Sequence, residues 1–300
     1  MMAASSVDVE PLGMLDIDPA LDEQKALRET LKAVGLSPSA GRVIFSHLLL
    51  YIMREIFTKA YKAPCCSVFL YGRSGSFKTS YAALLTQLHE RSQGILSPQR
   101  LNASTAMAEV LLYEKSNCTI VLDDLFPTSD QTIRRHQEKT LLEITRIVAD
   151  GISRGRVGSP LSGKPPTCGV VFTGEYIIGV GSTAARLLPV QITPIDSAIL
   201  HECQERPLVL PTFVNFFVKW CGDHCEEIKC QIQAWRAQHA TIKLGVHPRL
   251  SETHFFLCSA YRVFLWYCVM GGFAPRGCLQ TDDVTKGEIV FRPARQILSA

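Results

Sequence analysis

Residues 66–80, Cys-Ser-Val-Phe-Leu-Tyr-Gly-Arg-Ser-Gly-Ser-Phe-Lys-Thr-Ser, restrict the fold more than any other stretch of the chain. Ser67–Tyr71 is a short apolar, β-prone run. Gly72–Thr79 reads G-x-x-x-x-F-K-T, one residue from a P-loop, and Ser80–Leu88 continues at helical spacing. A loop of this kind works between a strand and a helix, because its backbone N–H groups must converge on a phosphate at the helix N-terminus. Gly72, Arg73, Ser74, Gly75, Ser76, Phe77, Lys78, Thr79 and Ser80 are therefore the candidate nucleotide-binding residues. Lys78 is placed to reach the β- and γ-phosphates and Thr79 to coordinate Mg2+, while Gly72 and Gly75 supply backbone freedom.

The pattern departs at Phe77, where a P-loop has a second glycine. Taken alone, the loop leaves open a chance match or a nucleotide site that no longer works. A phenylalanine is expected to be tolerated there with a negative φ and its ring turned from the phosphates, since the N–H is the binding group. A second motif supports the first. Asn117–Asp124 reads Asn-Cys-Thr-Ile-Val-Leu-Asp-Asp, a buried-type strand ending in two carboxylates, with Asp123 45 positions after Lys78. Acids at the C-terminal end of such a strand stand at the sheet edge where α/β folds bind ligands.

Composition sets the frame. Three hundred residues, 47% hydrophobic and 20% charged, suffice for an α/β domain with a smaller appendage. A net charge of +3 is too small to argue for nucleic acid by itself. Eleven cysteines, odd in number and scattered, argue against a disulfide framework and for a reducing cytoplasm. No basic, apolar leader is visible. Phe255–Ala274 is about the length of a membrane span, but Arg262, Ser259 and Gly271-Gly272 favour a buried helix of a globular lobe.

Along the chain, residues 1–20 read as a disordered lead-in and 21–62 as N-terminal helices, over Leu21–Val34 and Ser39–Tyr61. The core spans 63–200. It holds a short strand within Gly94–Leu101, a helix over Ser104–Lys115, and a strand, Cys168–Thr173, that closes on Thr173-Gly174-Glu175. Leu187–Ile192 reads as an edge strand. The basic loop Gly151–Pro166, with Arg154, Arg156 and Lys164, suits phosphate contact or a solvated connector equally. Residues 201–276 form a helical lobe, and 277–300 a tail with strand-like Glu288–Phe291. In the lobe, Val214, Phe217, Val218, Cys221, Cys225, Ile228, Ile232 and Trp235 make one helical stripe from Thr212 onward. That stripe argues against zinc at Cys221, His224, Cys225 and Cys230, because Cys230 falls about opposite Cys221 on one helix.

These motifs, in this order, resemble the ATPase region of phage- and plasmid-associated helicase/primase-type proteins of mobile elements. The resemblance is carried by Gly72–Thr79, Asn102-Ala-Ser-Thr-Ala106, Val121-Leu-Asp-Asp124, Asp150-Gly151 with Arg154-Gly-Arg156, Phe172-Thr-Gly-Glu175, and Ser182 with Ala185-Arg186. It runs from about residue 40 to 273 and is weakest in the final third. It implies a RecA-like, additional-strand P-loop core, α/β with a parallel sheet flanked by helices, that hydrolyses ATP with Mg2+ as a ring-forming homo-oligomer. By position, Asp123 would hold the metal through water, and Asp124 would take the place of a catalytic glutamate. Thr173 would be the polar sensor, and Arg186 a finger for a neighbour's γ-phosphate, emerging at the rim of the nucleotide site. Glu175 is the alternative base.

Three readings follow for the whole chain: a DNA-handling motor, an ATP-dependent switch or assembly factor without translocation, and a non-catalytic P-loop scaffold.

Overall fold

The computed structural model describes residues 15–88, 99–100, 105–114, 116–152, 166–178, 185–240 and 247–275. Among the described residues, five strands, β1 (Ser67–Tyr71), β2 (Gln99–Arg100), β3 (Thr119–Leu125), β4 (Gly169–Gly174) and β5 (Leu187–Gln191), form one parallel sheet ordered β2-β3-β4-β1-β5. The apolar run Val68-Phe69-Leu70 is fully buried in β1, and Val170-Val171-Phe172 in β4, as expected of parallel strands covered on both faces. β4 lies between the strand that leads into the candidate phosphate loop and the strand that carries the acids, which is the additional-strand arrangement of a RecA-like core.

The chain moves across the sheet in one direction from β1 to β2, through α4 (Lys78–Leu84), and back from β3 to β4, through α6 (Gln131–Asp150). Right-handed crossovers in opposite directions put their helices on opposite faces. α2 (Pro38–Ile52) shares the α4 face, where the Tyr81 hydroxyl donates to the carbonyls of Ala33 and Val34 at the end of α1 (Glu23–Val34). α5 (Thr105–Glu114) shares the other, with Thr105 and Thr140 hydroxyls 3.0 Å apart. α6 starts at the cleft edge, where Asp130 caps it by accepting from the N–H groups of Thr132 and Ile133, and ends at the far edge on Gly151, φ +66°.

The remaining helices are α3 (Arg54–Ala60), α7 (Ser197–Gln204), α8 (Val209–Asp223), α9 (Cys225–His239) and α10 (Pro248–Met270). The N-terminal and C-terminal helices pack together as one layer. Phe45 of α2 meets Phe213 of α8 and Phe264 of α10, the last edge-on at 5.1 Å, and Phe57 of α3 meets Phe256. Each such fully buried ring contributes roughly 1.5–3 kcal/mol. Polar links add to it: Arg206 to Glu29 at 2.8 Å, and Tyr267 to Glu23 at 2.6 Å. The segment read as about membrane-spanning length lies within buried α10 and residues 271–274, and among the described residues no helix is long and apolar enough to cross a membrane.

Several sequence expectations are corrected here. Ser39–Tyr61 is two helices, broken at Met53, and the stripe from Thr212 lies on two helices, broken at His224. The break at Met53 carries no proline or glycine, so packing decides it, whereas Gly222 lies two residues before the break at His224. Cys221, on α8, and Cys225, on α9, are buried, and Cys230, also on α9, is exposed, while the His224 ring stacks on Trp220 at 4.5 Å. The lead-in is tied before residue 20, because the Asp18 N–H donates to the Thr212 hydroxyl at 2.9 Å. The readings at Asn102–Ser104, Arg154, Arg156, Lys164, Ser182 and 277–300 lie outside the described residues.

Candidate nucleotide-binding site

At the C-terminal edge of the sheet, a cleft of about 260 Å³ is lined by Ser74, Gly75, Phe77, Lys78, Thr79, Ser80, Asp123, Leu125, Thr173, Gly174 and Glu175. β1 delivers the loop, α4 begins at Lys78, and β3 and β4 end beside it. Asp123 is the centre of its polar network. One carboxylate oxygen, Oδ1, accepts the hydroxyl of Thr79 at 2.5 Å and also that of Thr173. Between the pairs Leu122–Phe172 and Leu125–Gly174, β3 takes three steps while β4 takes two. A bulge of this kind re-aims side chains beside a site. Asp124 continues the backbone of β3, but its side chain lies outside the described residues.

Lys78 is buried to 9% exposure, and its ammonium donates to the Arg73 carbonyl at 2.8 Å. Ser76 donates its hydroxyl to the same carbonyl at 2.7 Å. The loop thus holds the amine over itself at the mouth of the cleft. The two glycines act differently. Gly75 has φ +76°, open to glycine but costly to others, whereas Gly72 provides room: a Cβ there would lie 2.7 Å from Ile192. Phe77 corrects the expectation of a negative φ. It caps α4 in the left-handed region, φ 60° and ψ 22°, and is 41% exposed. The position keeps a glycine-like backbone although it carries a ring, which is a local strain of order 1–2 kcal/mol.

No family model matches the sequence, and no curated protein matches it. Among solved structures, the chain is similar to the active helicase Cch of SCCmec type IV, with TM-score 0.53, 13% identity, and coverage of 87% of this chain and 48% of that one. It spans about half the length of that protein. A JCV helicase aligns over 81% of this chain and 63% of its own, at 16% identity and TM-score 0.34. The likeness to Cch is one of fold.

The remaining site residues divide. Glu175 lines the cleft, its N–H donating to the Leu125 carbonyl at 2.8 Å. The next residue, Tyr176, ties this loop to α6: its hydroxyl donates to Glu138 at 3.1 Å, and Arg134 pairs with Glu138 at 2.9 Å while lying over the Tyr176 ring. This clamp joins side chains 38 residues apart and left no sequence signal. Arg186 is not at the rim of its own cleft, which corrects the expectation. It directly precedes β5, and Leu187 pairs with Ser67 at the start of β1, whereas the loop follows Tyr71 at the other end. The strand between is about 17 Å long at 3.3 Å per residue, longer than an arginine side chain. Instead, Arg186 donates to Asp150, the last residue of α6, at 3.2 Å.

Proposed function

We propose that this chain is the ATPase core of a phage- or plasmid-type helicase or translocase, binding and hydrolysing ATP with Mg2+ and coupling turnover to DNA in a ring of copies. The observation that carries this reading is the Asp123 carboxylate, which gathers the hydroxyls of Thr79 and Thr173 beside Lys78. The donor set fits a hard cation: one carboxylate and a hydroxyl at the N-terminus of α4 are oxygen ligands of the kind Mg2+ takes. Bound there, Mg2+ supplies charge neutralisation and polarisation of the phosphates.

The chain's own residues do the rest. Lys78 exchanges the Arg73 carbonyl for β- and γ-phosphate oxygens, and the α4 N-terminus orients N–H groups toward them. Asp124 is the proposed base that orients and deprotonates the attacking water, with Glu175 as the alternative on the neighbouring strand. Thr173 reports the γ-phosphate end of the site to Asp123. Arg186, out of reach of its own cleft, is proposed to act on a neighbour's.

The test is ATP hydrolysis with and without single- and double-stranded DNA. Turnover that DNA stimulates supports the motor. Turnover indifferent to DNA favours the switch or assembly factor, and absence of turnover in protein that binds MgATP favours the scaffold.

A further inference from the structure

The outward face of α6 carries a row of cations. Counted at 100° per residue, Arg135, Lys139 and Arg146 fall within about 40° of one another, about opposite the buried Gln137, Leu141, Ile144 and Val148. All three are exposed. At 1.5 Å per residue the row is about 16 Å long. We infer that it is a nucleic-acid surface, on which the three side chains grip phosphates of a DNA backbone. The inference rests on the DNA-handling reading above and gives it a place on the molecule.

The surroundings of the row argue for a partner outside the chain. One position back, Arg134 pairs with Glu138 at 2.9 Å, and Glu138 also accepts the Tyr176 hydroxyl. Arg135 instead donates to the neutral Gln131 side chain at 3.4 Å, and among the described residues no carboxylate pairs with Lys139 or Arg146. The acids that flank the row leave it bare. Glu143 is half-buried, with Oε2 shut off from solvent. Asp150 accepts from Arg186 at 3.2 Å and from Arg249, in the first turn of α10, at 3.3 Å. Like charges one turn apart, as at Arg135 and Lys139, repel and weaken a helix. The fold gains nothing from the arrangement, whereas a polyanion gains three contacts.

The chemistry of the row selects the partner. α6 has no Phe, Tyr or Trp, so no base stacks there, and the contact is with phosphates, which position a strand without reading its sequence. Duplex DNA carries one charge per ~1.7 Å of axis, dense enough for a straight row of cations to meet phosphates along its length, and each contact releases a counterion. The row also lies on the helix that braces the cleft, because Glu138 holds Tyr176 beside the cleft-lining Glu175. DNA held there is held against the nucleotide site.

The experiment titrates the full chain, without nucleotide, into fluorescein-labelled single- and double-stranded DNA of mixed sequence, reading anisotropy over a salt series. Wild type is compared with the triple variant Arg135→Gln, Lys139→Gln, Arg146→Gln. A control loses the same charge from exposed positions elsewhere, as Lys25→Gln, Arg28→Gln, Lys219→Gln. The triple variant should lose about tenfold or more in affinity at low salt, and its slope of log affinity against log salt should shrink by about 2 on single strands and about 3 on duplex. The control should stay within about twofold of wild type. Equal losses in the two variants, or an unchanged slope, overturn the inference and leave DNA to another surface. Polyglutamate that displaces the labelled DNA as well as unlabelled DNA does makes this a surface for acidic protein, and overturns it too. Lys139→Glu repeats the test with one substitution if the triple variant has a lowered thermal midpoint, and wild-type affinity there is equally fatal. A wild-type chain that binds neither form of DNA overturns the inference together with the motor reading, while ATP turnover without DNA judges the ATPase core separately.

Discussion

Thr173 donates its hydroxyl to the carboxylate of Asp123, across the step where β3 carries one residue more than β4. The contact ties the end of one strand to the acid of the next, and Thr79 adds the start of α4 to the same oxygen. Thr173→Val keeps the shape and removes the hydroxyl. A hydrogen bond to a charged group is worth roughly 1.5–3 kcal/mol. Turnover should therefore fall about 10- to 100-fold, with MgATP affinity little changed. Steady-state kinetics beside calorimetry check this, and an unaltered kcat would remove Thr173 from the site.

Lys78 and Asp123 should separate binding from metal dependence. Lys78→Ala is expected to abolish hydrolysis and weaken MgATP binding strongly, because no other described cation lines the cleft. Asp123→Asn should bind nucleotide alike with and without Mg2+, as the charge that attracts the cation is gone while the volume is kept. Asp124→Asn should bind normally and turn over poorly. Calorimetric titration with ATP, in Mg2+ and in chelator, distinguishes the three.

Phe77 offers a test of backbone strain. At φ 60° a β-branched side chain is far worse than an unbranched one, and glycine has no penalty. Phe77→Val should lose more than about 1 kcal/mol of stability. Phe77→Gly should stay within about 1 kcal/mol of wild type, since strain relief offsets the entropy of a freer unfolded chain. Urea denaturation of both variants measures it. Equal losses in the two would contradict the left-handed conformation.

Acid should destabilise the protein through its buried histidines. His47 is fully buried, its Nε2–H donating to the Cys66 carbonyl at 3.2 Å and its Nδ1 accepting the Thr119 hydroxyl at 3.1 Å. Burial pushes its pKa down to about 4, and burial with the neighbouring His239 and Arg262 does the same to His254. Unfolded, both titrate near 6.5, so below about pH 6.5 the unfolded chain takes up protons that the native one refuses. Stability is thus complete above pH 6.5 and is lost as pH falls toward 4, by roughly 3 kcal/mol for each group. His47→Gln, measured by thermal unfolding at pH 7 and pH 4.5, should lower the midpoint at pH 7 and flatten its dependence on pH.

What could be read from the chain alone was local. A strand, a glycine-bearing loop and a helix are contiguous, so Ser67–Leu84 carries its own geometry in its order of residues. The same holds for Asp123 and Thr173-Gly174-Glu175, each at the end of an apolar run whose burial both faces of a parallel sheet require. Their convergence followed once the strands were taken as neighbours. Tertiary structure alone decided the rest. The left-handed φ of Phe77 is set by the loop's closure onto α4, and the bulge in β3 by its pairing with β4. The helix break at Met53 is set by the layer it packs in. Arg186 shows the limit most clearly: thirteen residues after Thr173 in sequence, it stands at the other end of the sheet, because the chain must return to the start of β5 before a parallel strand can form. Its partner Asp150 ends a helix that crosses the molecule, and Arg249 arrives from another layer. Sequence spacing records how far the chain has travelled, and only the fold records where it has returned.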